Sequence, residues 1–506
     1  MTATAEPATR SAVGLRSERG PVLGAIMLTT ALIALDSTVI ATAVPSVVRD
    51  LGGFSQFPWL FSVYLLTQAV TVPIYGKLAD VVGRKPVLIF GVTVFVAASV
   101  LCGFAWSMPA LIAARGLQGI GAGAIQPMGL TIIGDLYSVE ERARVQGYVA
   151  SVWGASSVLG PAIGGLFSEY ISWRWIFFIN IPLGAVALLA LRRRFAESVV
   201  KRPHRIDYAG TVLLTVSCSL LILGLLEGGN AWAWRSLTSA AILGAAVAGL
   251  FAFVRVEKRA AEPVLPLWVF QRRILVGGNL TALGVGALLI GLSSYVPTYV
   301  QGVLGTGAVE AGFALGALTI GWPIAASLSG RVYMRIGFRN TALIGMVFAV
   351  TGSLFTVLLT AGSSVWEVAG AMFVTGIGMG LASSPTVVAV QSVVGWDRRG
   401  VVTGTNMFSR AMGSAIGAAV FGALANASLA HDFAHPSPAV AGRLPTSADS
   451  AALALSGRHG AIADFVRGAL ATATHHVFVG LLAVTVLVTA AVALIPARAS
   501  QLVFDD

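Results

Sequence analysis

The stretch Gly76-Lys77-Leu78-Ala79-Asp80-Val81-Val82-Gly83-Arg84-Lys85 follows the second of many apolar runs in this 506-residue chain. A degenerate copy, Gly330-Arg331-Val332-Tyr333-Met334-Arg335-Ile336-Gly337-Phe338-Arg339, follows the tenth run, 254 residues later. Other matches keep nearly that spacing. Gly119, Gly121 and Gly123 recur as Gly376, Gly378 and Gly380, offset by 257. Glu140-Glu141-Arg142 with Gly147 recurs as Asp397-Arg398-Arg399 with Gly404, and Gly160 and Gly165 map onto Gly417 and Gly422, at the same 257. Four matches at nearly one offset argue for a duplicated chain. The charges are not duplicated: Asp80 becomes Met334, and Arg115 becomes Met372.

The composition says what is duplicated. The chain is 56% hydrophobic and 11% charged, with mean hydropathy +0.83, whereas soluble domains carry about 25% charged residues. Such a chain cannot hide its apolar surface in a water-soluble core. It reads as an all-α polytopic membrane protein. A transmembrane helix needs about 20 apolar residues, and the runs predict fourteen: 22–48, 57–75, 87–106, 109–134, 145–168, 175–191, 208–226, 236–254, 274–300, 311–330, 340–361, 368–391, 401–425 and 476–496. With the N-terminus in the cytoplasm, 25 of the 33 Lys and Arg fall inside and 6 outside, while Arg115 and Arg410 lie within spans. That bias follows the positive-inside rule and accounts for the net charge of +11 without nucleic acid. The first run is too long for a signal peptide, so it is expected to be retained.

The expected organisation is a cytoplasmic tail (1–20), a six-helix bundle (21–191), two inserted helices (207–256), and a second six-helix bundle (274–425 and 475–496). A long extracellular loop (426–474), in which 449–456 and 461–467 read as short amphipathic surface helices, interrupts the second bundle, and a cytoplasmic tail (497–506) ends the chain. Both bundles start on one face, so they are parallel repeats, the plan of a transporter that alternates about a midplane site.

Several residues are out of place in lipid. Asp36 lies in Leu32–Pro45, LIALDSTVIATAVP. An acid at the bilayer centre costs roughly 2.5–3.5 kcal/mol on insertion scales, and such residues are usually functional. From a rise of about 1.5 Å per residue, Asp36 and Arg115 differ in depth by only about 5 Å. Two readings stand: a titrating carboxylate near a fixed cation, or a permanent ion pair joining two helices. Arg410 is the other charge within a span, where it either faces the interior or snorkels to headgroups. Tyr64, Gln68, Gln126, Trp153, Asn279, Tyr295, Trp322, Gln391 and Asn406 are candidate cargo contacts. Aromatic faces with one carboxylate suit amphipathic, including cationic, molecules. Gly154, Gly160, Gly164 and Gly165 surround Pro161; small residues let helices approach, and proline bends them.

At these residues the chain resembles the major facilitator superfamily. GKLADVVGRK matches its loop signature after helix 2, Leu111-x-x-x-Arg115-x-x-Gln118-Gly119 its proton-coupling motif, and Gly160-Pro161-Ala-Ile-Gly164-Gly165 its antiporter motif. Leu35-Asp36-Ser-Thr38-Val39 with Pro45, and Trp173 through Asn180 to Pro182, look like the fourteen-helix drug:proton antiporters. The resemblance implies a proton-driven exporter in a bacterial plasma membrane, with Asp36 and Arg115 coupling protons to cargo. It also implies a latch of Gly76, Asp80, Gly83, Arg84 and Arg142 holding the outward-facing state. Asp80 would pair with Arg142, Arg144 or the helix N-terminus near Val401, where the dipole favours an anion.

No cofactor is expected beyond the proton gradient. The only Gly-Lys pair, Gly76-Lys77, lacks a P-loop context, and neither H-E-x-x-H nor G-x-S-x-G occurs, so no catalytic residue is assigned. His431 and His435 have metal-pair spacing without the accompanying Glu, and no metal site is assigned. Expected partners are small-molecule cargo, protons and the bilayer, with the chain a monomer. Export of a lipid, cell-envelope precursor or endogenous metabolite is the alternative function on the same fold.

Overall fold

The computed structural model describes residues 14–52, 59–195, 197, 207–229, 231–260, 263–436 and 460–497. These contain fifteen α-helices: α1 (Gly20–Leu51), α2 (Trp59–Val82), α3 (Arg84–Gly103), α4 (Met108–Leu136), α5 (Val139–Tyr170), α6 (Trp175–Phe178), α7 (Asn180–Arg194), α8 (Tyr208–Glu227), α9 (Leu237–Glu257), α10 (Arg273–Gly302), α11 (Ala308–Ile336), α12 (Phe338–Val357), α13 (Val365–Ser392), α14 (Arg399–Ala434) and α15 (Ala461–Ala493). Twelve stretches are long and apolar enough to cross a membrane, α6 and α7 counting as one. The two long helices outside the twelve are α4 and α5. Glycines dilute the hydropathy of α4, and α5 opens on Val-Glu-Glu-Arg-Ala-Arg.

The sixth expected span is two pieces. Pro182 has no N–H to give the Phe178 carbonyl, and the helix is broken between Phe178 and Asn180. The expected 426–474 loop is shorter than the sequence suggested. α14 continues to Ala434, and α15 begins at Ala461, absorbing the Ala461–Arg467 stretch expected as a separate surface helix. Alanine-rich sequence is helical whether or not lipid surrounds it, so loss of hydropathy marked the edge of the apolar zone and not the helix end. The other expected surface helix, at 449–456, lies outside the described residues.

α1 packs on α4, α5 and α7, and α4 lies between α2 and α3. In the second half α13 lies likewise between α11 and α12, and α10 packs on α14 and α15. α8 and α9 pair with each other, and α8 rests on α2 and α14. The halves meet along two seams, α2 on α14 and α5 on α11.

The sequence repeat is a repeat of contacts. A Cβ on Gly121 would lie 2.7 Å from the Gly91 carbonyl oxygen, and one on Gly378 would lie 2.7 Å from that of Gly345. Gly123 meets the Gln68 carbonyl as Gly380 meets that of Trp322. Each pair repeats at the sequence offset, and each is a helix crossing too close for any side chain. Gly83 and Gly337, the last glycines of the two loop copies, both have positive φ, 103° and 84°. There a sharp turn joins consecutive helices in a conformation glycine adopts without a Cβ penalty.

Candidate functional site

Asp36 on α1 and Arg115 on α4 meet directly. Arg115 Nη1 donates to Asp36 Oδ2 at 2.6 Å, and the two residues are 1% and 4% exposed for Arg115 and Asp36 respectively. Gln118, one turn along α4, donates from Nε2 to Asp36 Oδ1 at 2.8 Å and accepts from Arg115 Nη1 at 2.6 Å. The i, i+3 spacing puts Arg115 and Gln118 on one helix face. Gln118 Nε2 also donates to Ser99 Oγ of α3 at 2.9 Å, and Asn180 Nδ2 of α7 reaches the same oxygen at 3.2 Å. The Arg115 guanidinium lies 4.2 Å from the Tyr64 ring centroid, and Nε donates to the Leu60 carbonyl at 3.2 Å. One buried carboxylate is thus tied to α2, α3, α4 and α7. Removing one partner of such a pair costs about 3–5 kcal/mol, because the other charge is left buried alone.

A second cluster closes the end of the molecule where α2 and α4 finish and α3, α5 and α14 begin, termed here the basic end. Asp80 accepts from the backbone N–H of Gly400 (2.9 Å) and Val401 (2.8 Å), in the first turn of α14. Of the three partners expected for Asp80, the helix N-terminus is the one it has. The dipole and the unpaired N–H groups of a first turn both favour a carboxylate there. Arg84 is fully buried. Its Nη2 donates to Asp80 Oδ1 at 2.8 Å and to the Trp396 carbonyl, its Nε lies 3.2 Å from Asp135 Oδ2, and its Cζ stacks 3.7 Å from the Trp396 ring centroid. Arg399 donates to Asp135 Oδ1 at 2.9 Å. A Cβ on Gly76 would stand 2.8 Å from the Gly400 carbonyl oxygen, so α2 and α14 touch backbone to backbone.

Arg142, expected as part of the latch and a possible partner of Asp80, binds elsewhere. Its Nε donates to the Tyr137 carbonyl at 3.0 Å and its Nη2 to that of Gly134. Its repeat-mate Arg399 donates to the same Gly134 carbonyl. Arg142 follows Glu140-Glu141 and Arg399 follows Asp397-Arg398, so acidic neighbours in sequence do not separate them. The second seam closes beside them, where the Tyr333 hydroxyl donates to the Val139 carbonyl and a Cβ on Gly330 would meet Ala143 at 2.6 Å.

The antiporter-motif glycines divide. Gly160 packs against Thr38 of α1, within the first half, so it does not seal the halves together. Gly154 does face the seam, 2.9 Å by its would-be Cβ from the Thr319 carbonyl oxygen. Gly164 is buried, and a Cβ on Gly165 would meet nothing within 4 Å. The structure describes no side-chain placement for Pro161. At the end opposite the basic one, Arg174 and Trp173 donate to Asp50 Oδ2 at 2.6 and 3.1 Å. Those hydrogen bonds hold the Asp50 carboxyl below the usual carboxylate range.

The Major Facilitator Superfamily profile matches residues 26–418. The chain belongs to the major facilitator superfamily. It is 36% identical over 414 residues to the multidrug transporter protein MdtP of Bacillus subtilis (strain 168), across 82% of this chain and 76% of that one. It is 36% identical over 401 residues to multidrug resistance protein 3 of the same strain, across 79% and 78%. Efflux pump FUS6 of Gibberella moniliformis is 31% identical over 417 residues, across 80% and 74%. Among solved structures, the human organic anion transporter MFSD10 (TETRAN) shares the fold, with TM-score 0.64 and 14% identity over 94% of this chain and 99% of that one. This superfamily member is a multi-pass membrane transporter and not an enzyme.

The cavity candidates in this transporter also divide. Tyr64, Asn279, Gln391 and Asn406 are buried. Asn406 Nδ2 donates to the Gly278 carbonyl at 3.0 Å and to Asn279 Oδ1 at 3.4 Å. Gln391 Nε2 donates to Thr403 Oγ1 and, across the halves, to the Leu130 carbonyl. Protein groups engage the Gln391 and Asn406 amide nitrogens, while the Tyr64 hydroxyl and Asn279 Nδ2 have no hydrogen-bond partner among the described residues. Gln68, Gln126, Trp153, Tyr295, Trp322 and Arg410 keep accessible surface. Sequence reasoning missed Ser99, Asp135 and Trp396. It quoted Gln118, Asn180 and Arg399 within motifs or repeats without giving them a role. Gln118's spacing from Arg115 could have revealed it; the others needed the fold.

Proposed function

We propose that this transporter exports small amphipathic compounds by alternating access, driven by protons, as a fourteen-helix drug:proton antiporter of a bacterial plasma membrane. In this reading α4 and α5 also span, which brings the twelve apolar stretches to fourteen. α1–α7 and α10–α15 are the two bundles, α8 and α9 the inserted pair, and the basic end faces the cytoplasm. The relatives' names, multidrug transporter and efflux pump, support drug-like cargo. The observation that carries the coupling is the buried Asp36–Arg115–Gln118 contact. The Asp80–α14 and Tyr333–Val139 contacts hold the basic end shut, which, with that end cytoplasmic, supports reading this state as outward-facing.

The proton step follows from this contact. As drawn, the carboxylate accepts from Arg115 and Gln118. A proton arriving from outside neutralises Asp36, weakens its hold on Arg115 and lowers the cost of moving α1 against α4. The bundles rock, the Asp80 contact with α14 opens, and the proton leaves to the cytoplasm as cargo loads. The membrane potential supplies roughly 2.3 kcal/mol per charge per 100 mV for that cycle. The test is Asp36→Asn in proteoliposomes. Uphill export driven by a pH gradient should vanish while downhill exchange of the same cargo persists. Export at the wild-type rate against its gradient would exclude Asp36 from coupling.

A further inference from the structure

The charges deep in the fold are unequal once the partners are counted. Asp36 is neutralised by Arg115. Arg410 is not neutralised by anything: among the described residues its side chain has no ion pair or hydrogen bond, only the Trp322 ring, 5.5 Å from Cζ to the centroid. The described acids of the second half, Glu310, Glu367, Asp397, Asp432 and Asp464, all lie within about a turn of helix ends or in the turns beside them. Arg410 is eleven residues into α14, about 16 Å along its axis. Trp322, which it faces, is the central residue of α11. Its head group is therefore at mid-height and has not snorkelled to either surface. It lies between α14 and α11 and keeps accessible surface. One turn nearer the basic end, buried Val72, Val387 and Met407, flanked by Leu130 and Phe408, draw α2, α4, α13 and α14 together beneath it.

We propose that Arg410, with Trp322 beside it, recognises an anionic group on the cargo, so that the central site favours amphipathic organic anions over organic cations. An unpaired guanidinium in the membrane interior is costly and marks a substrate path. Its planar fork takes a carboxylate or sulfonate by two parallel hydrogen bonds, and the indole provides an apolar face for the body attached to it. Among the described residues an organic cation meets no free carboxylate at this level and one unopposed positive charge. This assignment rests on the export reading for its use, but the charge preference is a property of binding and is measured separately.

The probes are matched: 4-(1-pyrenyl)butyrate, its neutral amide, and the corresponding pyrenylbutyl trimethylammonium. Binding to full-length protein in nanodiscs of neutral phosphatidylcholine is measured by equilibrium dialysis, with empty nanodiscs subtracted. The wild type should bind the butyrate at least tenfold more tightly than the amide or the cation. Arg410→Gln should weaken butyrate binding about tenfold and leave the amide within threefold, and Arg410→Lys should retain part of the preference. The amide comparison removes the charge from the ligand, so it stands even if Arg410→Gln does not fold. A wild type that prefers the cation, binds butyrate and amide equally, or shows no saturable butyrate binding overturns the assignment, as does unchanged butyrate affinity in a folded Arg410→Gln protein. If the preference holds but proteoliposomes move no butyrate, the export reading fails and the charge assignment survives. If another cargo is exported without any anion preference, the reverse is true.

Discussion

Asp80→Asn tests the closure of the basic end with the shape almost unchanged. The carboxylate accepts from the Gly400 and Val401 N–H groups at 2.9 and 2.8 Å and from Arg84 at 2.8 Å. An amide has one oxygen, so one N–H of the first turn of α14 faces an NH2 group and loses its acceptor. A buried unsatisfied donor costs about 1–3 kcal/mol. Loss of an anion at a partly buried helix N-terminus adds about 1 kcal/mol. The penalty, about 2–4 kcal/mol, falls on the closed state alone if, as in the proposed alternating-access cycle, Asp80 and α14 move apart when this end opens. At 1.4 kcal/mol per tenfold, the closed-to-open ratio should fall roughly thirty- to several-hundredfold. Spin labels at exposed Arg144 and Arg331, which flank the α5–α11 seam, would report this as a shift from a short to a long inter-label distance. Insertion and yield should be normal and net transport reduced. An unchanged distance distribution would refute the claim that this carboxylate holds the end shut.

Other consequences are measurable in the same protein. Gly76→Ala places a methyl group 2.8 Å from the Gly400 carbonyl oxygen, and overpacking of about 1–3 kcal/mol should open the same end in the same distance measurement. Gly165→Ala, with open space around it, should leave transport and thermal stability unchanged, and a large loss there would show that the motif acts other than by packing. Gln118→Leu removes a donor from both Asp36 and Ser99 and should lower thermal stability by about 1–3 kcal/mol, more than Ser99→Ala does. Asp50, at the far end, has its pKa lowered by Arg174 and Trp173, so its contribution to stability is present above the unfolded carboxylate value, about pH 4, and is lost as pH falls through the lowered folded value. The difference in unfolding midpoint between wild type and Asp50→Asn should therefore be present at pH 6 and shrink progressively as the pH is lowered below about 4; a constant difference would contradict the assignment.

The class of protein, the positions of most helices and the duplicated glycines were legible in the sequence because lipid imposes local rules. Apolar length reports a span, and backbone N–H and C=O groups must be satisfied within the helix. Where two helices cross backbone to backbone only glycine fits, so Gly121 and Gly378 announce the same crossing from opposite ends of the chain. The destination of Asp80 was narrowed to three partners by sequence and to one by packing. Arg142 and Arg399 have similar sequence surroundings, yet the fold sends both to the Gly134 carbonyl. For Asp36 and Arg115 the rise per residue placed them at similar depth, and depth is one coordinate of three. Rotation about each helix axis decided that they meet, that Gln118 joins them, and that Arg410 does not find a carboxylate. That rotation is set by the close packing of whole helix faces, which residue spacing along one chain does not contain.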